Sequence, residues 1–276
     1  MKKNLSLYLS LFLALTLAFT ACKKDDDPAP ITPPTAGLTL LSEGYATGAG
    51  VKVEVWAKAA YFTGYNTLYL YLKDSVSGAA INSATVSLNP MMDMGTMMHS
   101  APSENPVNSS SSTGLYQSAV VFLMSSMGGA WTLNVDVDNL SNGLSGTAAI
   151  PVTVADLAVS RVKSFISQVS AETLVVSFLQ PEKPVVGLND LEVVIHKRTN
   201  MGMDFPADSS LSVEISPLMV FMGHGSPNNV NPVHMGMGHY KGKVNYTMSG
   251  DWQINFTFLS GTSVANNSLF FETLVP

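Results

Sequence analysis

The chain has one cysteine among its 276 residues, Cys22. With no second thiol there is no disulfide, so whatever folds here must hold by its core alone. A blue-copper electron-transfer site needs a cysteine thiolate, and structural zinc sites usually do as well, so neither can be built. Charge is also sparse, at 12% of residues, with 14 Lys+Arg against 20 Asp+Glu. That balance makes a poor nucleic-acid binder. Hydrolytic and phosphate-binding signatures are missing: no Gly-x-Ser-x-Gly, no His-Glu-x-x-His and no phosphate-cradling glycine loop. The expectation is therefore a non-enzyme. Helical periodicity is absent from every long run, and beyond the N-terminal stretch nothing is long and apolar enough to span a bilayer.

Residues 1–21 read as an address rather than as structure. Lys2 and Lys3 form a basic start, and Leu5 to Phe19 is an apolar run too short for a comfortable membrane span. Leu17-Ala-Phe-Thr-Ala21-Cys22 resembles a bacterial lipobox with a relaxed middle. That resemblance implies a lipid attached to Cys22 and removal of residues 1–21; the alternative is an ordinary secretory signal with a stray cysteine. Loss of Lys2 and Lys3 would take the formal charge from −6 to −8. Residues 22–36 carry Lys23-Lys-Asp-Asp-Asp27 and then Pro28-Ala-Pro-Ile-Thr-Pro-Pro34, the composition of a disordered, semi-extended tether. The acidic run behind the cysteine resembles the export signal of surface lipoproteins in Bacteroidetes-type bacteria. The expected location is the cell envelope, lipid-anchored to the outer membrane, with the periplasmic face and the cell surface both open.

From residue 37 onward, apolar and polar residues alternate in short runs broken by Gly, Ser, Asn and Pro. Val51-Lys-Val-Glu-Val-Trp56, Leu68-Tyr-Leu-Tyr-Leu72, Trp131-Thr-Leu-Asn-Val135, Leu191-Glu-Val-Val-Ile195 and Trp252-Gln-Ile-Asn-Phe256 are examples. Short strands at this spacing predict an all-β chain of β-sandwiches. Residues 155–163 are expected to form a linker leading into a strand.

The halves also repeat. Met127-Gly-Gly-Ala-Trp131 lines up with Met248-Ser-Gly-Asp-Trp252, Gly114-Leu-Tyr116 with Gly238-His-Tyr240, and His99-Ser-Ala-Pro102 with His224-Gly-Ser-Pro227. Thr67–Leu72 is matched with Thr173–Phe178. Two tandem domains follow, 37–150 and 151–276, the second carrying an inserted Met201-Gly-Met203 loop and an extra strand.

The chemistry-bearing residues are methionine and histidine. All 14 methionines after the initiator fall between Met91 and Met127 or between Met201 and Met248. Met124, Met127 and Met248 stand at strand positions beside the repeated Gly and Trp, and are expected in the core. Met92, Met94, Met97 and Met98, with Met222, Met235 and Met237, lie among Gly, Asp, Ser and Asn and are expected in loops. Four of the five histidines accompany them: His99, His224, His234 and His239. His196 is expected at a strand end on the surface. Thioether sulfur and imidazole nitrogen are soft-to-borderline donors, suited to copper and to Cu(I) above all. The expected cofactor is copper, held by Met/His loops, with one site joining His224 and His239 if strands bring them together. The rival expectation is a non-enzymatic envelope interaction module whose Met-rich loops bind a protein partner.

The order of these motifs resembles the YtkA-like domain, related to FixH-like proteins, over about residues 65–137 and more loosely 171–258. The resemblance implies small extracytoplasmic immunoglobulin-like β-sandwiches, several of them linked to copper handling or oxidase assembly.

Overall fold

The structure is a computed structural model describing residues 32–276. The signal-like segment, Cys22 and most of the expected tether lie outside the described residues. The chain divides into two units, 1–36 and 37–276. In the first, Ala36 N–H donates to Pro33 O at 3.0 Å.

The second unit is almost entirely β and holds two sandwiches in tandem. The first sandwich contains β1 (Thr39–Ala46), β2 (Val51–Ala57), β3 (Gly64–Asp74), β4 (Ala84–Asp93), β5 (Met98–Ser100), β6 (Ser103–Glu104), β7 (Leu115–Phe122), β8 (Ala130–Asn139) and β9 (Leu144–Val152). One sheet runs β1-β2-β3-β7-β6 and the other β5-β4-β8-β9. The second contains β10 (Val162–Ile166), β11 (Thr173–Gln180), β12 (Gly187–Arg198), β13 (Ser212–Met219), β14 (His224–Gly225), β15 (Val230–Gly236), β16 (His239–Tyr246), β17 (Gly250–Ser260), β18 (Ser263–Asn266) and β19 (Phe270–Val275). Its sheets run β10-β11-β12-β16-β15 and β14-β13-β17, with β18 and β19 both pairing β17. Each strand of the first sandwich has a counterpart in the second, and β18 is the addition.

Alternation puts one face of each strand inward. Leu68, Leu70 and Leu72 of β3 are fully buried, each contributing about 2 kcal/mol by leaving water. Their counterparts on β12 are Leu191, Val193 and Ile195, buried just as deeply. Each sandwich has its own core cluster, anchored by Trp131 in the first and Trp252 in the second.

Three of the four sequence correspondences hold strand for strand; the fourth is displaced by one strand. Thr67–Leu72 belongs to β3, whose counterpart is β12, whereas Thr173–Phe178 is β11, the counterpart of β2. The true marker is an asparagine plug. Asn66 Oδ1 accepts from Phe62 N–H at 3.1 Å, and its Nδ2 donates to Phe62 O and Gly64 O, both at 2.8 Å. Asn189 repeats this with Val185 N–H at 2.9 Å and with Val185 O and Gly187 O at 2.8 Å.

The boundary expected between 150 and 151 falls inside β9. Ala155 N–H still donates to Tyr61 O at 3.0 Å and Leu157 N–H to Thr63 Oγ1 at 3.3 Å. The first sandwich therefore closes near residue 157. The linker ends at Arg161, whose guanidinium caps Phe178 O at 3.0 Å and Leu179 O at 2.6 Å.

Candidate metal-binding hairpins

The histidine- and methionine-rich stretches form hairpin tips at the ends of the sandwiches. In the first sandwich, β4 and β5 pair at Met92↔His99 and Asp93↔Met98. Asp93 Oδ1 accepts Gly95 N–H at 2.7 Å and Met94 N–H donates to Met97 O at 3.1 Å, which closes the turn. Met94, Met97 and Met98 are exposed. Met97 Sδ lies 3.1 Å from His99 Nε2, the one close thioether–imidazole approach among the described residues. In the second sandwich β13 and β14 pair at Met219↔His224. Met222 is exposed, and the His224 ring stands edge-on to Trp252 at 5.8 Å with its Nδ1 3.0 Å from Gly225 O.

Several expected ligands are elsewhere. Met92 is not a loop residue: it is on β4 and fully buried, because strand alternation turns it inward opposite Trp131. Met127 and Met248, expected in the core, are exposed; the turn before each tryptophan displaces them outward. In each repeat a methionine backbone carbonyl takes the indole instead: Trp131 Nε1 donates to Met124 O at 2.9 Å and Trp252 Nε1 to Met248 O at 3.0 Å. His234 accepts Gly238 N–H on its Nε2 at 3.3 Å and packs on Tyr240. Met235 and Met237 are exposed on the β15–β16 hairpin, with Met237 beside Tyr65 and Glu104 of the first sandwich.

His224 and His239 do not converge. His224 neighbours Trp252, which neighbours Tyr246 at 5.5 Å. His239 begins the strand that Tyr246 ends, about 24 Å away at ~3.4 Å per residue. Both nitrogens of His239 are already committed: Nδ1 lies 2.7 Å from Glu192 Oε1 and Nε2 3.0 Å from Glu104 Oε1. Glu104 is on the first sandwich, so the ring bridges the two domains. Tyr65 O–H donates to Glu104 Oε2 at 2.8 Å and stands edge-on to the imidazole, while Lys241 Nζ is 3.3 Å from Glu192. Burial alone would push the His239 pKa down, but hydrogen bonds to Glu104 and Glu192, and their charges, override it and hold it at about 9. The His239 bond in turn holds the Glu192 carboxyl below its ordinary value. This is an imidazolium between two carboxylates on opposite sides of one ring, and no single ion could take both.

His196, expected at the surface, is buried on β12 with Nδ1 unpartnered; burial pushes its pKa down to about 4. Among the described residues no three His, Cys, Asp or Glu side chains gather as a metal cage. A crevice of about 330 Å³ separates the first hairpin from the second sandwich, with His99, Met124 and Trp131 on one wall and Val175, Arg198 and Phe205 on the other.

No family model matches the chain, and neither does any curated protein. Among solved structures it is similar to domains 5–6 of the S-layer protein SbsC, at 13% identity and a TM-score of 0.32, covering 86% of this chain and 98% of that one. It is also similar to the FdeC adhesin of Escherichia coli, at 16% identity and a TM-score of 0.24, covering 78% of this chain and 60% of that one. A third likeness is InvD of Yersinia pseudotuberculosis, at 16% identity and a TM-score of 0.25, covering 78% and 53% respectively. The fold class rests on this chain's own strand registers. No described helix is long and apolar enough to cross a membrane.

Proposed function

We propose that the protein is an extracytoplasmic lipoprotein of the bacterial envelope, anchored through Cys22, that binds Cu(I) through its β4–β5 and β13–β14 hairpins for copper homeostasis or delivery. The supporting observation is the Met97 Sδ–His99 Nε2 approach of 3.1 Å on an exposed hairpin. Taking zinc's bond lengths of about 2.0 Å to imidazole nitrogen and about 2.3 Å to thiolate sulfur as a guide, donors at that separation subtend roughly 90°. Rotation of the exposed Met97 side chain opens this toward the wider angle of a low-coordinate soft ion. The same Met-x-His spacing recurs as Met222-Gly223-His224. Met94 and Met98 are exposed on the same hairpin. His234, Met235, Met237 and His239 fall outside both sites. The motif order that resembles YtkA-like domains is consistent with this reading.

The test is competition of the full mature chain, in detergent micelles, against a Cu(I) chelator. Wild type should bind tightly, and the double variant His99→Ala/His224→Ala should lose at least tenfold in affinity. Binding should weaken on acidification, because imidazole coordinates only when neutral. No binding by wild type would overturn the copper reading. Mass spectrometry of the mature N-terminus tests the anchor: a lipid on Cys22 is expected, and an unmodified or absent Cys22 refutes it.

One observation favours a second reading, an envelope interaction module. Val220, Phe221 and Met222 form a continuous exposed apolar tip, with Phe221 95% exposed. If that tip is the functional surface, Phe221→Ser abolishes partner capture while leaving Cu(I) affinity unchanged.

A further inference from the structure

The hairpins contain more than Met-x-His. In an antiparallel sheet, residues directly opposite one another share a face, with β-carbons about 5 Å apart. On the β5-β4-β8 sheet, Met92 is opposite both His99 and Trp131, so His99, Met92 and Trp131 form one row on one face. On β14-β13-β17, Met219 is opposite His224, and the β13–β17 register ends one step earlier at Leu218↔Gln253, so Met219 and Trp252 are the next residues along their strands. The row His224, Met219, Trp252 is the same row. Here the His224 ring reaches across the intervening methionine strand to stand 5.8 Å from Trp252.

The methionine of each row is held in place. A β-carbon on Gly129 would lie 3.2 Å from Met92 Cε, and one on Gly250 would lie 3.0 Å from Met219 Cε. The glycine two residues before each tryptophan thus lies against a thioether methyl group; at Gly129 a β-carbon would also meet Asp93 O, at 2.5 Å. Cross-strand pairing puts each methionine on the same face of the sheet as the histidine opposite it. A core position needs only an apolar side chain of this volume, and Leu or Ile would serve. Both halves use Met, and both set it opposite a histidine that is only partly buried.

We infer that each sandwich holds its own soft-metal site of two thioethers and one imidazole: Met92, Met97 and His99 in the first, Met219, Met222 and His224 in the second, with Trp131 and Trp252 as the floor. This rests on the copper reading above and adds to it the stoichiometry, the buried third ligand and the identity of Met219. Two sulfurs and one nitrogen favour Cu(I) or Ag(I) over Zn(II) or Cu(II). The tryptophan floor places an indole within reach of the bound cation.

The experiment uses the full mature chain in detergent micelles, with Ag(I) followed by tryptophan emission and Cu(I) followed by chelator competition. Wild type should take two ions and lose emission from Trp131 and Trp252, while Trp56 emission persists. Met92→Leu and Met219→Leu keep volume and remove sulfur. Each should weaken one of the two sites at least tenfold and leave the other unchanged. Near-UV circular dichroism should match wild type, which separates ligand loss from misfolding. The double variant Met92→Leu/Met219→Leu binding two ions with wild-type affinity would overturn the inference and leave the copper reading standing on the exposed pairs alone. No binding by wild type would overturn both.

Discussion

His239 does different work from its neighbours in sequence. Its imidazolium joins Glu104 of one sandwich to Glu192 of the other, and the sign of its contribution follows from its raised pKa. A histidine held at about 9, against an unfolded value near 6.5, stabilises fully below pH 6.5 and loses that contribution as pH rises through 9. His196 acts oppositely. Held at about 4, it stays neutral while the unfolded chain takes up a proton, so stability falls as pH drops from 6.5 toward 4. Urea unfolding should therefore give maximum stability near pH 6.5. His239→Ala should cost about 2 kcal/mol at pH 7, allowing for partial exposure, and remove the alkaline decline; His196→Leu should flatten the acid one. A flat profile between pH 6.5 and 9 in wild type would refute the account of His239. Neither role was legible in the sequence. His196 sits amid Ile195, Lys197 and Arg198, and its burial depends on how β12 is covered. His239 meets a glutamate 135 positions earlier in the chain.

At the scale of elements, what could be read was what a turn or a close contact demands. Gly238 has φ +75°, and a β-carbon there would meet Ile195 O at 2.5 Å, so the Gly-x-Tyr motif follows from backbone geometry. Gly238→Ala should cost about 2 kcal/mol or more and lower Tm by roughly 5 °C or more, measured by calorimetry; an unchanged Tm would show that the turn can relax. Met-x-Gly-x-Trp was legible for a related reason: its glycine seats a buried thioether and its indole caps a backbone carbonyl. Thr67–Leu72 and Thr173–Phe178 look alike without corresponding because period-two alternation says that a strand exists but not which strand it is. The asparagine plugs would have fixed the register, since Asn66 and Asn189 each stand two residues after a glycine at a strand start. Of the proposed site, Met-x-His spacing in the sequence points to Met97, His99, Met222 and His224 but not to Met219, which stands in an apolar run; Met92 reads as a loop residue because Asp93 and Gly95 follow it, and the structure puts it on β4.

At the scale of the whole described unit, duplication has put one hairpin in two settings. The first tip overlooks the crevice against the second sandwich, and the second tip has the exposed Val220–Met222 segment at its crest. On the proposed copper reading, ion exchange should accordingly be slower at the first site; stopped-flow transfer to a chelator should show two phases, with the slow one abolished in His99→Ala. A single phase would refute this asymmetry. Separate cores predict that the halves can unfold separately once the bridge is lost. His239→Ala should split a single calorimetric transition into two, and one unchanged transition would show that other contacts couple the sandwiches.

The bridge also has an arithmetic of charge. Glu104, Glu192, imidazolium His239 and Lys241 sum to zero, so the joint is electroneutral at neutral pH inside an otherwise acidic chain. Added salt then has little net charge to screen there. Once the His239 proton leaves, an uncompensated negative charge stands between the two sandwiches, and dissolved cations become part of what holds them together. Ionic strength should be nearly irrelevant to the joint at pH 7 and should strengthen it at pH 10.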